Sequence, residues 1–261
     1  ICGPMRILLS PAKTFRNGDI PVDAGASQPL FADNASELMS SLSLESEDIL
    51  QTMMDISPDL ALETARRHMQ WGGPFHPGNA RTAIHAFHGE VFRSLGAERW
   101  NASDLDYAQD RLRIISGLYG LLRPLDLIQE YRLEMGGKWS PDGHQNLYEY
   151  WGSTLANSLH EEDHHDDIVN LASQEYFKAV DQPALKDRFI HVQFKEERQG
   201  AYKMIGTYAK TARGRMAKYL LQEKIDSREG IQGFTEDGYT FNPALSGSDT
   251  LIFTRNNTPL S

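Results

Sequence analysis

Hydroxyl and cationic side chains follow the first strand that the sequence predicts, and they are suited to holding an anion. The run from Arg6 to Ser10 is typical of a short buried strand, and Ser10, Lys13 and Thr14 stand at its end and in the following loop. The stretch is not a P-loop, because the glycines of that motif are missing. Two interpretations stay open: a contact with an anion or nucleotide, or a plain strand exit with a solvated lysine.

A glycine-flanked turn follows the predicted strand Leu112 to Ile115. Gly117 and Gly120 enclose a Leu-Tyr pair whose second member is Tyr119. Glycine permits a positive φ and a close backbone approach, so amides exposed here can point at a phosphate oxygen. The turn loosely matches the one in helix-hairpin-helix DNA-binding motifs. The alternative is a tight turn with Tyr119 packed into the core.

Two arginines downstream each have an acid close by in the sequence. Arg123 is near Asp126, and Arg132 is near Glu134. Internal ion pairs would account for them, but a guanidinium that binds a phosphate or carboxylate also needs such a partner to orient it. The sequence leaves both interpretations open.

A second set of polar residues follows the predicted strand Asp167 to Leu171. Asn170 stands near the strand end, Ser173 is a natural N-cap for a helix from Gln174 to Val180, and Lys178 lies within that helix. Polar groups at the carboxyl ends of strands gather at binding clefts in α/β folds. Capping alone accounts for Ser173 but not for Asn170 or Lys178.

The most basic segment is a predicted helix from Thr211 to Leu221. Lys210, Arg213 and Gly214 fall on one face at i, i+3 and i+4 spacing. The face suits phosphate binding, and a solvated surface helix is the alternative.

Neither a metal nor a cofactor is predicted. The cluster from His160 to Asp167 has adjacent acids and histidines without the spacing of a defined metal site, so we interpret it as a solvated linker.

We interpret residues 1–4 as the remnant of an expression tag and residues 5–261 as a single domain. Cys2, the only cysteine, then drops out of the natural chain, which fits a reducing cytoplasm.

The order of predicted elements is mixed, which indicates an α/β (mixed α+β) fold: a single compact domain with a mixed sheet flanked by helices. Further helices are predicted from Asn34 to Leu42, Ser46 to Met54, Ser57 to Met69, Asn79 to Phe87, Ser103 to Asp110 and Leu147 to His160. A strand is predicted from Phe189 to Phe194, and a closing β-hairpin from Gly233 to Phe241 and Thr250 to Thr254.

The composition narrows the classes of protein. The 261 residues are 40% hydrophobic and carry a formal net charge of −10, which argues against an indiscriminate binder of polyanions. The apolar runs are too short to span a membrane, and no secretory signal is evident. We therefore expect a cytoplasmic protein with no membrane partner; the sequence does not indicate a protein partner.

Eight stretches together resemble the YaaA family of peroxide-stress proteins, from Met5 to about Arg255. They are SPAKT, NARTAI, AFHGEVF, SGLYGLLRPLDLIQEYRLEMG, LYEYWG, NLASQEYFKAV, YAKTARG and GFTEDGYTF. The resemblance implies protection against hydrogen peroxide, linked to lower free intracellular iron and less oxidative damage to DNA and protein. It also implies a DNA-binding single domain with a helix-hairpin-helix element, matched here by Gly117 to Gly120, and a positively charged cleft. Candidates to line that cleft are Lys13, Arg123, Arg132, Lys178, Lys210 and Arg213.

Two functions follow as expectations. The first is binding of duplex, damaged or bulged DNA through phosphate contacts, by shape rather than by sequence. The second is an enzyme acting on a nucleotide, a nucleobase or another small anionic metabolite in the same cleft. In that case Lys13, Tyr119 or Asp126 would serve as acid or base, although no catalytic signature is present.

Overall fold

The computed structural model describes residues 5–18, 25–162 and 166–256. Its strands are β1 (Arg6–Leu9), β2 (Arg81–Thr82), β3 (Leu112–Ser116), β4 (Gly120–Leu122), β5 (Leu127–Ile128), β6 (Ile168–Asn170), β7 (Phe189–Arg198), β8 (Ala201–Lys203), β9 (Thr240–Phe241) and β10 (Thr250–Arg255). Its helices are α1 (Ala32–Leu42), α2 (Glu47–Met54), α3 (Pro58–Gln70), α4 (Ala83–Ala86), α5 (Glu90–Leu95), α6 (Ala102–Arg111), α7 (Leu147–Trp151), α8 (Thr154–Glu162), α9 (Gln174–Phe177), α10 (Gly206–Gln222) and α11 (Arg228–Gln232). The proposed tag remnant at residues 1–4 lies outside the described residues.

One mixed sheet organises the domain. Its strand order is β4-β3-β1-β6-β7-β10-β9, and β8 pairs with β7. The central strands β3, β1, β6, β7 and β10 are mutually parallel, whereas β4, β8 and β9 are antiparallel to their neighbours. β2 and β5 form a separate antiparallel pair. The expected α/β class with a mixed sheet flanked by helices is confirmed.

Local capping signals placed two helices correctly. The Ser46 and Ser57 hydroxyls accept hydrogen bonds from the backbone amides of Ile49 and Leu60, at the starts of α2 and α3. The predicted helix start at Asn34 is wrong, because α1 begins at Ala32. The Asn34 side chain instead donates to the Tyr150 hydroxyl, at 3.2 Å.

Three predicted elements differ in the structure. The helix from Leu147 to His160 is two helices, because Gly152 between them adopts φ 48° and ends α7. The helix from Asn79 to Phe87 is the two-residue β2 followed by the single turn α4. The second strand of the predicted closing hairpin is confirmed as β10, but of its first strand, Gly233 to Phe241, only Thr240–Phe241 is a strand, which pairs antiparallel with β10.

The Gly117 to Gly120 turn joins β3 to β4, two antiparallel strands. A helix-hairpin-helix element has helices on both sides of its turn, so the expectation for this segment is wrong. Gly120 adopts φ +69°, and a side chain there would meet the Trp151 ring at 2.9 Å. Close packing of α7 and α8 against this turn therefore explains the glycine.

Two further features complete the fold. The segment from His160 to Asp167 lies partly outside the described residues, but its Glu162 ends α8 and pairs with the buried Arg113 at 2.9 Å, so Glu162 is not a solvated linker residue.

None of the helices in the described ranges is long and apolar enough to cross a membrane.

Candidate functional site

A pocket of about 400 Å³ lies beyond the carboxyl ends of β1 and β6, and we call it the main pocket. β1 has β3 on one side and β6 on the other, so the strand order reverses here. In open α/β sheets such a reversal opens a crevice in which ligands bind. The lining comprises Ser10, Pro11, Ala12, Lys13, Thr14, Gly89, Glu90, Val91, Phe92, Leu171, Ser173, Glu175, Tyr176, Lys210 and Arg213.

A pair of serines joins the loops that follow β1 and β6. The Ser173 amide donates to the Ser10 hydroxyl oxygen at 2.8 Å, and the Ser10 hydroxyl donates to the Ser173 hydroxyl oxygen at 3.2 Å. Ser173 is the N-cap residue of α9, as expected, but its side chain makes no capping hydrogen bond. The Ser173 hydroxyl proton is therefore available to a ligand in the main pocket.

α10 is held over the main pocket by a backbone contact with α5. A Cβ at Gly214 would lie 2.1 Å from the Val91 carbonyl oxygen, closer than any real side chain approaches. The glycine therefore lets the two helices touch, and this contact brings Lys210 and Arg213 to the pocket wall.

The cations of the main pocket differ in their surroundings. Lys13 lies 2.7 Å from the Glu134 carboxylate, and its side chain remains 60% exposed. Lys210 is exposed and Arg213 is half-buried, and neither side chain has a hydrogen bond or ion pair with any residue of the described ranges. Burial lowers the pKa of Arg213, because desolvation disfavours its charged form.

Two acids also line the main pocket, but both are engaged. Glu90 pairs with Arg93 one turn along α5. Glu175 accepts a hydrogen bond from the Gly136 amide at 3.0 Å. The cationic side chains therefore remain the groups best placed to attract an anion.

Two of the three candidate catalytic residues lie away from the main pocket. Tyr119 is fully buried, accepts hydrogen bonds from the Trp71 indole at 2.8 Å and the Gln129 amide at 3.0 Å, and has its pKa raised by burial. Asp126 is also fully buried and accepts from the Ser27 hydroxyl at 2.7 Å and the Arg123 guanidinium at 2.9 Å. These contacts give both residues a structural role.

The other predicted binding residues are dispersed. Arg123 is held by Asp126, and Arg132 lines a separate pocket of about 160 Å³. Lys178 lies over the Tyr148 ring, 4.4 Å from its centroid, and the Asn170 amide bonds the His191 ring at 3.1 Å. Of the predicted set, the main pocket collects Ser10, Lys13, Thr14, Ser173, Lys210 and Arg213, but not Gly117, Tyr119, Gly120, Arg123, Arg132, Asn170 or Lys178.

Sequence reasoning missed one wall of the main pocket. Gly89, Val91 and Phe92 belong to the AFHGEVF stretch, and Tyr176 follows Ser173 by three residues. Gly89, the N-cap of α5, was the available signal, because a glycine often marks a close approach, and a Cβ built at Gly89 would lie 3.1 Å from the Ala12 Cβ.

The fold and the site define a class: a mixed α/β protein with a pocket at the reversal of its sheet. The pocket is lined by a serine pair and by Lys210 and Arg213, whose side chains have no acidic partner among the described residues. The chain belongs to the peroxide stress protein YaaA family, whose sequence model matches residues 5–245. A UPF0246 protein of Bordetella pertussis is 46% identical over 96% of this chain and 99% of its own length. A UPF0246 protein of Cellvibrio japonicus is 42% identical over 95% of this chain and 97% of its own. Family membership supports a role in peroxide stress.

Proposed function

We propose that this protein acts in the cytoplasm during peroxide stress by binding DNA through the cations of the main pocket. The observation that carries the proposal is that Lys210 and Arg213, one turn apart on α10, have no acidic partner in the described part of the chain. A DNA phosphate would supply the missing partner, and Lys13 lines the same pocket.

The overall negative charge of the protein confines DNA binding to the few cations of the main pocket. With a formal net charge of −10, the molecule as a whole repels a polyanion, so few phosphates are held. If Lys13, Lys210 and Arg213 each neutralise one phosphate, the logarithm of the binding constant falls with the logarithm of salt concentration at a slope of about −2.7. No base-reading element is evident, so the proposal is recognition by shape.

Fluorescence anisotropy with labelled duplex, bulged and single-stranded DNA over a salt series tests the proposal. Lys210→Ala/Arg213→Ala is expected to weaken binding at least tenfold and to reduce the slope by about 1.8, because two phosphate contacts are lost. Arg66→Ala/Lys186→Ala is the matched control, since it removes the same charges from two exposed sites outside the pocket. Equal losses in both variants, or no binding by the unaltered protein at low salt, would reject the proposal.

The link to free intracellular iron stays a prediction. Within the described ranges no group of three His, Cys, Asp or Glu side chains is arranged to hold a metal. We expect lower chelatable iron in peroxide-treated cells that express the protein than in cells that lack it, as measured by electron paramagnetic resonance. Equal iron in the two strains would remove this part of the proposal without touching DNA binding.

A further inference from the structure

The main pocket has the size of a small-molecule site. Its volume of about 400 Å³ falls in the range of roughly 300–1,000 Å³ that is usual for ligand and cofactor sites. A DNA duplex is too wide to enter such a space and would contact only its rim. The interior of the pocket therefore needs an explanation other than duplex binding.

The walls of the pocket divide by chemistry. Pro11, Phe92 and Leu171 give it apolar surface. Lys210 and Arg213 give it positive charge without a protein counter-ion among the described residues. A site with an apolar wall and a few convergent polar groups fits a ligand with an organic body and a charged end.

The polar groups suit a phosphate in particular. Arg213 offers a planar fork of donors, Lys210 a compact second charge, and Ser173 a hydroxyl proton that no described residue accepts. A half-buried guanidinium without a partner is unfavourable, and a bound dianion relieves that cost. The same burial disfavours the charged form of Arg213 and so lowers its pKa.

We propose that the main pocket binds a free organic phosphomonoester, with its phosphate at Arg213, Lys210 and Ser173 and its organic body against Pro11, Phe92 and Leu171. This goes beyond the DNA-binding function and does not depend on it. The two ligands share Lys210 and Arg213, so the phosphomonoester and DNA compete.

Isothermal titration calorimetry with defined probes tests this inference. Phenyl phosphate and adenosine 5′-monophosphate are the probes, and phenol, adenosine and benzoate are their matched partners without a phosphate. Both phosphates are expected to bind in the micromolar to low millimolar range, and the three partners at least tenfold more weakly. If neither phosphate binds at concentrations up to about 10 mM, the inference is overturned. Equal binding of the phosphates and of their phosphate-free partners would also overturn it.

Variants locate the phosphate and the organic body separately. Arg213→Ala and Ser173→Ala are expected to weaken phosphate binding, the arginine change by about 10- to 100-fold, since a charge-assisted contact is lost. Ala12→Leu fills the pocket from the loop after β1 without changing charge, and it should exclude both probes while duplex DNA still binds. Arg66→Ala is the control, because that exposed residue does not line the pocket and its side chain has no partner among the described residues.

The outcomes keep the two proposals apart. If the phosphates bind and DNA does not, the DNA-binding function fails and the phosphomonoester site stands. If DNA binds and Ala12→Leu, with its fold confirmed by circular dichroism, leaves phosphate binding unchanged, the phosphomonoester site fails alone. Unchanged phosphate binding in Arg213→Ala also rejects it.

Discussion

Of the three cations that line the main pocket, Lys13 is already held by a protein carboxylate. Its ammonium group lies 2.7 Å from Glu134, whose other oxygen lies 4.0 Å from the Arg132 guanidinium. A ligand anion must compete with Glu134 for Lys13. The carboxylate thus limits how strongly the pocket attracts phosphates.

Glu134→Gln should therefore strengthen DNA binding. A partly exposed ion pair is worth about 0–1 kcal/mol, so its removal is expected to raise affinity by up to about fivefold and to steepen the salt dependence. Anisotropy titrations at three salt concentrations measure both quantities. Glu229→Gln on α11 is the control, because it removes one negative charge outside the pocket. An equal gain in the control would show that net charge alone is responsible.

Tyr119 provides a second residue-scale prediction. Its hydroxyl accepts from the Trp71 indole and the Gln129 amide, so Tyr119→Phe leaves two donors without their acceptor. We expect the free energy of unfolding to fall by about 1–3 kcal/mol with ligand binding unchanged. Urea denaturation and anisotropy measure the two effects, with the exposed Tyr202→Phe as control. Loss of binding at unchanged stability would instead assign Tyr119 to the functional machinery.

At the scale of elements, α10 depends on one glycine. Gly214→Ala places a Cβ 2.1 Å from the Val91 carbonyl oxygen, so α10 and α5 must move apart. We expect a loss of about 1–3 kcal/mol in the free energy of unfolding and weaker phosphate binding, because Lys210 and Arg213 move with the helix. Calorimetric melting and titration check both effects.

Gly206→Ala is the matched control on the same helix. Gly206 begins α10, and no atom lies within 4 Å of a Cβ built there. The change should leave stability the same or raise it by up to about 1 kcal/mol, because alanine favours the helix over the unfolded chain. Equal behaviour of the two variants would show that the contact between α5 and α10 does not constrain the pocket.

Elements whose limits depend on local chemistry were predictable. Ser46 and Ser57 identified the starts of α2 and α3, because a cap is set by residues within one turn. The break at Gly152 was not predictable in the same way, because the apolar spacing continues across it. Asn34 has the residue type of a cap, yet a contact with Tyr150, more than 100 positions away, determines its role.

At the scale of the whole molecule, one buried histidine makes the free energy of unfolding depend on pH in acid. His68 is 1% exposed, and its Nε2 accepts the Arg132 amide at 3.2 Å. Burial lowers the pKa of His68 to about 4 from a usual value of 6.5. Between these values the unfolded chain binds a proton that His68 in the folded protein does not, so the contribution of His68 to stability is complete above pH 6.5 and is lost as the pH drops towards 4.

His68→Gln should remove this part of the pH dependence while keeping a side-chain acceptor. The shift corresponds to about 3 kcal/mol of unfolding free energy between pH 7 and pH 4. Urea denaturation at several pH values, compared with the unaltered protein, measures the difference. His76→Gln, at an exposed position, is the control. Parallel pH curves for the unaltered protein and His68→Gln would contradict the assignment.

The candidate site was only partly predictable. Ser10 and Ser173 were each predicted as binding residues because each follows a strand, but their hydrogen bond was not predicted, because it depends on β1 and β6 being parallel neighbours. The pairing of Lys13 with Glu134 joins residues whose proximity depends on the whole fold. Because such contacts depend on the whole fold, the sequence could not decide whether Tyr119, Arg123 and Arg132 have structural or functional roles.

The position of β1 also has a consequence for synthesis on the ribosome. Ile7 pairs with Leu112 on one side and with Val169 on the other. At roughly 5–20 residues per second, β1 leaves the exit tunnel about ten seconds or more before β6 can close over it. During that interval β1, which will lie inside the sheet, has an unpaired edge. Nascent chains of this protein should therefore be clients of ribosome-associated chaperones until β6 has emerged.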